Sequence, residues 1–320
     1  MNSSERILIL ALGMIQGIGP AQISDVFSVL KEEDISLEQL YKLSPTVRRR
    51  KIKSSSKIHK LLDRFPKTVN SCRTLEENLR KKNIRWISRM EASYPSRLRH
   101  FMKDSAPFFL FYKGNIGLLK QEWFLGIIGT RYPARQGKQA AFNTAREIAA
   151  ENVVIVSGGA QGIDTQAHKG ALGSGSSIFI LPYGLFYSKR LEKFQNMFNH
   201  ENHLLLSEFI PSEKGTRQTP ILRNRTVASL SDALCIIETG VRGGTLHTMR
   251  FAREFGKPIL ATDFSPGKNP PGNASILATV ATSVSCKTSE KINRIAKIKQ
   301  ALQKGKALLK KSKSRQMKLI

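Results

Sequence analysis

Across 320 residues the chain carries 52 lysines and arginines against 24 acidic side chains, a formal charge of +28 at neutral pH. Small metabolites do not need such a field, so the expected partner is a polyanion, most simply nucleic acid, with a membrane surface second. Three scattered cysteines (Cys72, Cys235, Cys286) lack disulfide or metal spacing, and no apolar run approaches the ~20 residues of a membrane span, which predicts a cytoplasmic protein with no metal and no membrane partner. Ile7–Ile15 is apolar, but Glu5 and Arg6 nearly cancel before it and no good cleavage site follows, which argues against a secretory signal.

Arg6–Leu12 and Ala21–Leu30 have helical spacing and flank Gly17-Ile18-Gly19-Pro20. Helix–hairpin–helix units of this kind aim backbone N–H groups at phosphate, and both packing and DNA contact fit the pattern here. Leu37–Leu43, Ile58–Phe65 and Thr74–Lys81 predict further short helices, with Arg48-Arg49-Arg50-Lys51 and Lys53 between them as a solvated basic run. Residues 1–82 are therefore expected to form a small N-terminal helical domain of the helix-hairpin-helix (SAM-like) kind.

A second domain is expected over 83–286. Ile84–Ser88, Pro107–Tyr112, Phe124–Ile128, Val153–Val156, Ser177–Leu181, Leu204–Leu206, Ala233–Ile237 and Pro258–Ala261 predict strands, and Gln139–Ala150 a helix. Apolar strands alternating with helices over 122–262 predict an α/β fold, a doubly wound and mostly parallel sheet. Ligands bind such sheets at the carboxyl ends of the strands. Two loops leave that edge: Gly129-Thr130-Arg131, and Ser157-Gly158-Gly159-Ala160-Gln161-Gly162-Ile163-Asp164. Small residues let amides approach a phosphate, the following helix adds its positive end, and Arg131 adds a fixed cation. Gly158-Gly159-x-x-Gly162 departs from the dinucleotide fingerprint and no Walker motif occurs, so no redox cofactor or ATP is expected.

Arg223-Asn224-Arg225, after the loop Pro211–Pro220, is expected to hold consecutive phosphates, with Lys214 and Arg217 as weaker candidates. The same arginines would alternatively buttress the fold by pairing with Glu208 or Asp232. Gly243-Gly244-Thr245 opens another helix. Ser157 and Thr245 are expected to offer hydroxyls to phosphate, Tyr132 and Tyr183 to stack on bases, and Asp164 and His168 to cap and pack rather than act as an acid/base pair. Residues 287–320 form a lysine-rich tail, either a basic amphipathic helix or a disordered arm.

These motifs, in this order, resemble the DNA-processing protein DprA (Smf) family: Ile128-Gly129-Thr130-Arg131, Ser157 to Asp164 with Ala167-His168, Leu206-Ser207-Glu208, Arg223-Asn224-Arg225 and Gly243-Gly244-Thr245. The resemblance runs from about residue 5 to 285 and includes Tyr94-Pro95-x-x-Leu98 and the Asn273 region. It implies a Rossmann-like domain that binds single-stranded DNA and loads the RecA recombinase during natural transformation, a homodimer, and no catalytic turnover. The chain departs from the family where Pro220-Ile221-Leu222 replaces the usual Phe-Pro before Arg223, and where the lysine-rich tail replaces a winged-helix domain. A different reading is a Rossmann-like enzyme that hydrolyses nucleoside monophosphate N-glycosidic bonds, with Glu238 as acid and Arg131 as phosphate clamp. A third is a sensor of a nucleotide signal.

Overall fold

In the computed structural model, residues 3–52, 55–199, 201–265 and 267–316 are described, and they fall into two units. The first comprises residues 1–92 with 103–109. Its helices are α1 (Ser3–Met14), α2 (Pro20–Glu32), α3 (Leu37–Lys42), α4 (Pro45–Lys51), α5 (Ser56–Leu62) and α6 (Phe65–Lys81), followed by the strand β1 (Arg85–Ser88). Leu8, Leu10, Leu12, Leu40, Phe65 and Val69 are buried in its core. The basic run expected to be solvated is itself the helix α4, and Arg48 is buried with its guanidinium donating to the carbonyls of Leu62 and Leu43. Ser44 caps that helix and Pro45 opens it, so the arginines lie on different sides of one short helix. Lys53 lies outside the described residues. In the Gly17–Pro20 hairpin the Ile18 amide donates to Ile15 and the Gly19 amide to the Gln22 side chain, so neither is left for a phosphate.

The second unit holds residues 93–102 and 110–320. In chain order it contains α7 (Ser96–Met102), β2 (Phe109–Gly114), β3 (Trp123–Ile128), α8 (Arg135–Ala149), β4 (Val153–Ser157), α9 (Ile163–Leu172), β5 (Ser177–Leu181), β6 (His203–Ser207), α10 (Thr219–Leu230), β7 (Ala233–Ile236), α11 (Gly244–Glu254), β8 (Ile259–Asp263), α12 (Pro271–Thr279), β9 (Thr282–Ser285) and α13 (Lys291–Gln316). Its strands run in the order β2-β6-β5-β4-β3-β7-β8-β9. Every described neighbouring pair among them is parallel except β2 against β6. The sheet is thus doubly wound, mostly parallel and Rossmann-like. From β3 the chain first winds outward through β4, β5 and β6, then returns to lay β7 on the other side of β3. The carboxyl ends of β3 and β7 therefore mark the switch point, where the two following loops part and leave a crevice.

Strands buried on both faces are apolar throughout, as in Phe124–Ile128 and Val153–Val156. On one face Ile148, Ile163, Ala167, Ile298 and Leu302 join the inward residues of the central strands in a single core. The last two belong to α13, so the segment 287–316 is no detached arm. Arg294, fully within this packing, makes a two-oxygen ion pair with Glu147 of α8 at 2.7–3.0 Å. The apolar repeat Ile295, Ile298 and Leu302 is what seats the helix, and Lys299 and Lys304 on another side are exposed. Residues 317–320 of the expected tail lie outside the described residues.

Two polar anchors hold the amino edge of the sheet. Arg97 of α7 pairs with the fully buried Asp232 through both carboxylate oxygens, at 2.9 and 3.0 Å, and that carboxylate also accepts the Phe124 amide. Lys257 is buried beside them, donates to the Ser231 carbonyl and lies 3.6 Å from the centre of the Phe101 ring. Burial pushes its pKa down to about 7, against the opposing attraction of Asp232. The strand β9 was not legible in the sequence, since only Val284 of its four residues is buried.

Candidate nucleic-acid interface

The loop after β3 is fixed from both sides. The Thr130 amide donates to the Glu238 carbonyl at 2.7 Å, and the Thr130 carbonyl accepts the Ile163 amide at 3.1 Å. Glu238, just past β7, accepts the Ala134 amide with both carboxylate oxygens at 3.1 Å and so serves as a remote cap for α8. Between these ties Arg131 and Tyr132 project outward, Tyr132 with 81% of its surface exposed.

Opposite stands the loop after β7. Asn273, buried in α12, accepts the Thr239 amide at 2.8 Å and donates to the carbonyls of Ile237 and Thr262. Gly243 then turns with φ +128°, a backbone state that L side chains rarely adopt, and α11 starts at Gly244. No side chain caps that helix: the Leu246 amide closes back on the Gly243 carbonyl at 3.2 Å, and Gly244 and Thr245, whose amides have no such cap, line the crevice. The Asn224 side chain ties α10 to this end by donating to the Gly244 carbonyl at 3.1 Å.

A cavity of about 290 Å³ opens between the two loops, lined by Gly129, Thr130, Arg131 and Tyr132, by Arg223 and Asn224, and by Arg242 to Thr245. Ala160, Asp164, Pro220 and Thr239 also contribute to its wall. Arg223 is the buried cation of this site, only 5% exposed. Among the described residues its ion pair is with Asp164 at 3.9 Å, its side chain makes no hydrogen bond, and its Nε has no partner, while the charges of Arg131 and Glu208 also act on it. Burial lowers its pKa and Asp164 opposes that shift, while a guanidinium stays charged throughout. Burial also raises the pKa of Asp164, opposed first by the charge of Arg223.

Several sequence expectations are corrected here. The Ser157 hydroxyl is fully buried and donates to the Ile127 carbonyl at 2.6 Å, so it offers nothing to a ligand. The amides of Gly158 and Ala160 donate to the Asp164 carboxylate at 3.1 and 3.3 Å, which closes the second glycine loop internally. Gly158 is small for a different reason: a Cβ there would overlap the Arg223 guanidinium. Gly159 faces Leu181 and Leu191, and Gly162 faces the carbonyls of Thr130 and Arg131, so both serve packing. His168, one turn after Asp164 in α9, is buried and stacked on Phe179 at 3.5 Å, the packing role expected of it. Tyr183 is buried and presents no face for stacking.

Arg225 does not reach the cavity. Arg223-Asn224-Arg225 sits inside the helix α10, where two residues of separation mean about 200° of rotation. Arg225 therefore turns away toward Glu208, whose pKa burial raises. Lys214 and Arg217 are exposed and outside the cavity wall. Arg242, exposed in the cavity rim, was missed as a site residue. Its signal was available: like Arg131, it is an arginine in the short turn between a buried strand and a helix.

Residues 85–296 match the family model for DNA recombination-mediator protein A. The DNA processing protein DprA of Streptococcus pneumoniae is 37% identical over 159 residues, 49% of this chain and 55% of its own length. That of Bacillus subtilis is 30% identical over 220 residues, covering 68% of this chain and 71% of the relative. Among solved structures, the Streptococcus pneumoniae protein superposes with a TM-score of 0.63 at 27% identity, covering 89% of this chain and 95% of the other. The Helicobacter pylori DNA processing protein A, whose structure is described for its single-stranded DNA binding mode, superposes with a TM-score of 0.57 at 26% identity, covering 68% and 96%.

Proposed function

Since the chain belongs to the DNA recombination-mediator protein A family, we propose that it binds single-stranded DNA in the switch-point cavity and acts in DNA recombination without catalytic turnover. The observation that carries this reading is Arg223: a buried, permanently charged side chain with no hydrogen bond to the described residues, facing a cavity that also receives the first turn of α11. A buried guanidinium left without acceptors is costly unless a ligand supplies them. A phosphodiester does so, and Arg131 and Arg242 on the rim neutralise its neighbours along the strand. Bases then lie against the exposed Tyr132 ring, a contact that tolerates any sequence.

A duplex fits this site poorly, because a crevice of short loops has no protruding helix for a major groove. The nucleotide-hydrolase alternative needs Glu238 as an acid. Both of its oxygens are engaged with the Ala134 amide, and it lies outside the cavity wall. Loading of a RecA-type recombinase, a homodimeric state and a role in natural transformation complete the proposal, and their support is the family resemblance. The test is fluorescence anisotropy with labelled oligo-dT over a salt series, with unlabelled duplex as competitor. Tight, steeply salt-dependent binding to the single strand with weak duplex competition supports the reading. Equal affinity for both forms overturns it.

A further inference from the structure

The lysine-rich side of α13 ends at the edge of the sheet opposite the cavity. The helix follows β9, which finishes at the carboxyl edge, and Arg294 still donates to the Ser285 carbonyl there. Twelve residues later Lys306 lies over the ring of Trp123, the first residue of β3, and pairs with Glu122. Gly305 packs on the Asp232 carbonyl just before β7, and Leu308 lies beside Gly256 just before β8. Each of these contacts is at the amino edge. The helix then continues to Gln316, and no acidic residue occurs anywhere along α13. Exposed Lys304, Lys120 before β3 and Arg253 at the end of α11 belong to the same edge.

We infer that this amino-edge surface is a second nucleic-acid contact, independent of the cavity and indifferent to strandedness. Its chemistry is charge without shape. Exposed cations on three neighbouring segments attract a phosphate backbone and release counterions, and they offer no pocket to separate single strands from duplex. An anionic membrane is the less fitting partner. Surface-seeking helices insert an apolar side into lipid, and here Ile298, Ala301 and Leu302 are committed to the protein core. With contacts on two opposite edges, one molecule engages two segments of nucleic acid, or one long strand that passes around the domain.

The experiment uses the full chain and two variants. One is the triple change Lys120→Gln, Arg253→Gln and Lys304→Gln; the other is Arg131→Ala with Arg242→Ala. Probes are an oligo-dT of about four nucleotides, which a single site accommodates, and one of about sixty, together with a duplex and phosphatidylserine vesicles. The triple variant is expected to bind the short oligomer within twofold of the parent. On the long strand its logarithmic salt slope should fall by about 2, as three neutralised contacts imply, and duplex binding should drop in parallel. The arginine pair should show the reverse pattern, losing the short oligomer first, which separates failure of the cavity reading from failure of this one. Parental slopes on the long strand and duplex overturn the inference, as does a loss confined to vesicles. If the triple variant melts early, Lys304→Gln alone is read instead, with an expected slope change of about 0.7 on single strands.

Discussion

The glycine loops after β4 and after β7 leave the same sheet edge and each runs into a helix, yet they reach opposite electrostatic states. In the first, Asp164 folds back from the opening turn of α9 and takes the amides of Gly158 and Ala160. In the second, α11 begins without a cap, and nothing lies within 4 Å of the position a Gly243 Cβ would take. One loop thus supplies the counter-charge that lets Arg223 be buried, while the other supplies open donors. An anion site needs both: a cation held in place by a carboxylate at a distance, and amides that no carboxylate has claimed.

Removing the carboxylate should break this contrast most severely. Asp164→Ala leaves two buried amides and a buried guanidinium uncompensated, and a loss of about 3–5 kcal/mol in unfolding free energy by urea titration is expected. A second buried cation sharpens the point. Lys257, unlike Arg223, has its pKa brought to about 7 from 10.5. Between those values the unfolded chain holds a proton that the folded chain lacks, so stability should rise with pH across that window by up to about 1.4 kcal/mol per unit. Below about 7 the full burial cost is present. Lys257→Met should flatten this dependence in melts from pH 7 to 10, and an unchanged slope would contradict the assignment.

Effects on binding alone come next. Arg131→Ala and Arg242→Ala remove exposed cations, so each should weaken oligo-dT binding by about 1.5–3 kcal/mol while shifting stability by no more than ~0.5 kcal/mol. The smallest expected change is in the fold of Gly244→Ala. Its Cβ would meet only the Asn224 amide nitrogen at 3.9 Å, so stability should stay within ~0.5 kcal/mol. The new methyl group points at the crevice, and a several-fold loss in single-strand affinity without a melting shift would separate the open loop from the closed one. The matching Gly158→Ala change should instead destabilise, because Arg223 occupies that space.

Much of this molecule was legible from residue order. Phe124–Ile128, Val153–Val156 and Ala233–Ile237 are apolar runs bounded by turn residues, and such runs have few options other than buried parallel strands. The turn residues that follow them placed Thr130, Arg131, Gly243 and Gly244 at one edge for the same reason. Where the reading failed, the missing information was rotation and partnership. The helix α10 hid in a segment of low amphipathicity, so Arg225 was grouped with Arg223 although the helix turns it away. Asp164 was correctly read as a cap, but nothing in its spacing said that it would silence the loop in front of it.

The central strands, the edge at which their loops emerge and the excess of positive charge were determined by the sequence, because they follow from local periodicity and composition. Which arginine is buried, which amides stay open and where Lys306 comes to rest were decided only by tertiary structure. Those outcomes depend on contacts such as Arg223 with Asp164, Asn224 with Gly244 and Lys306 with Trp123. Each joins groups far apart in the chain, and no local pattern encodes the distance between them.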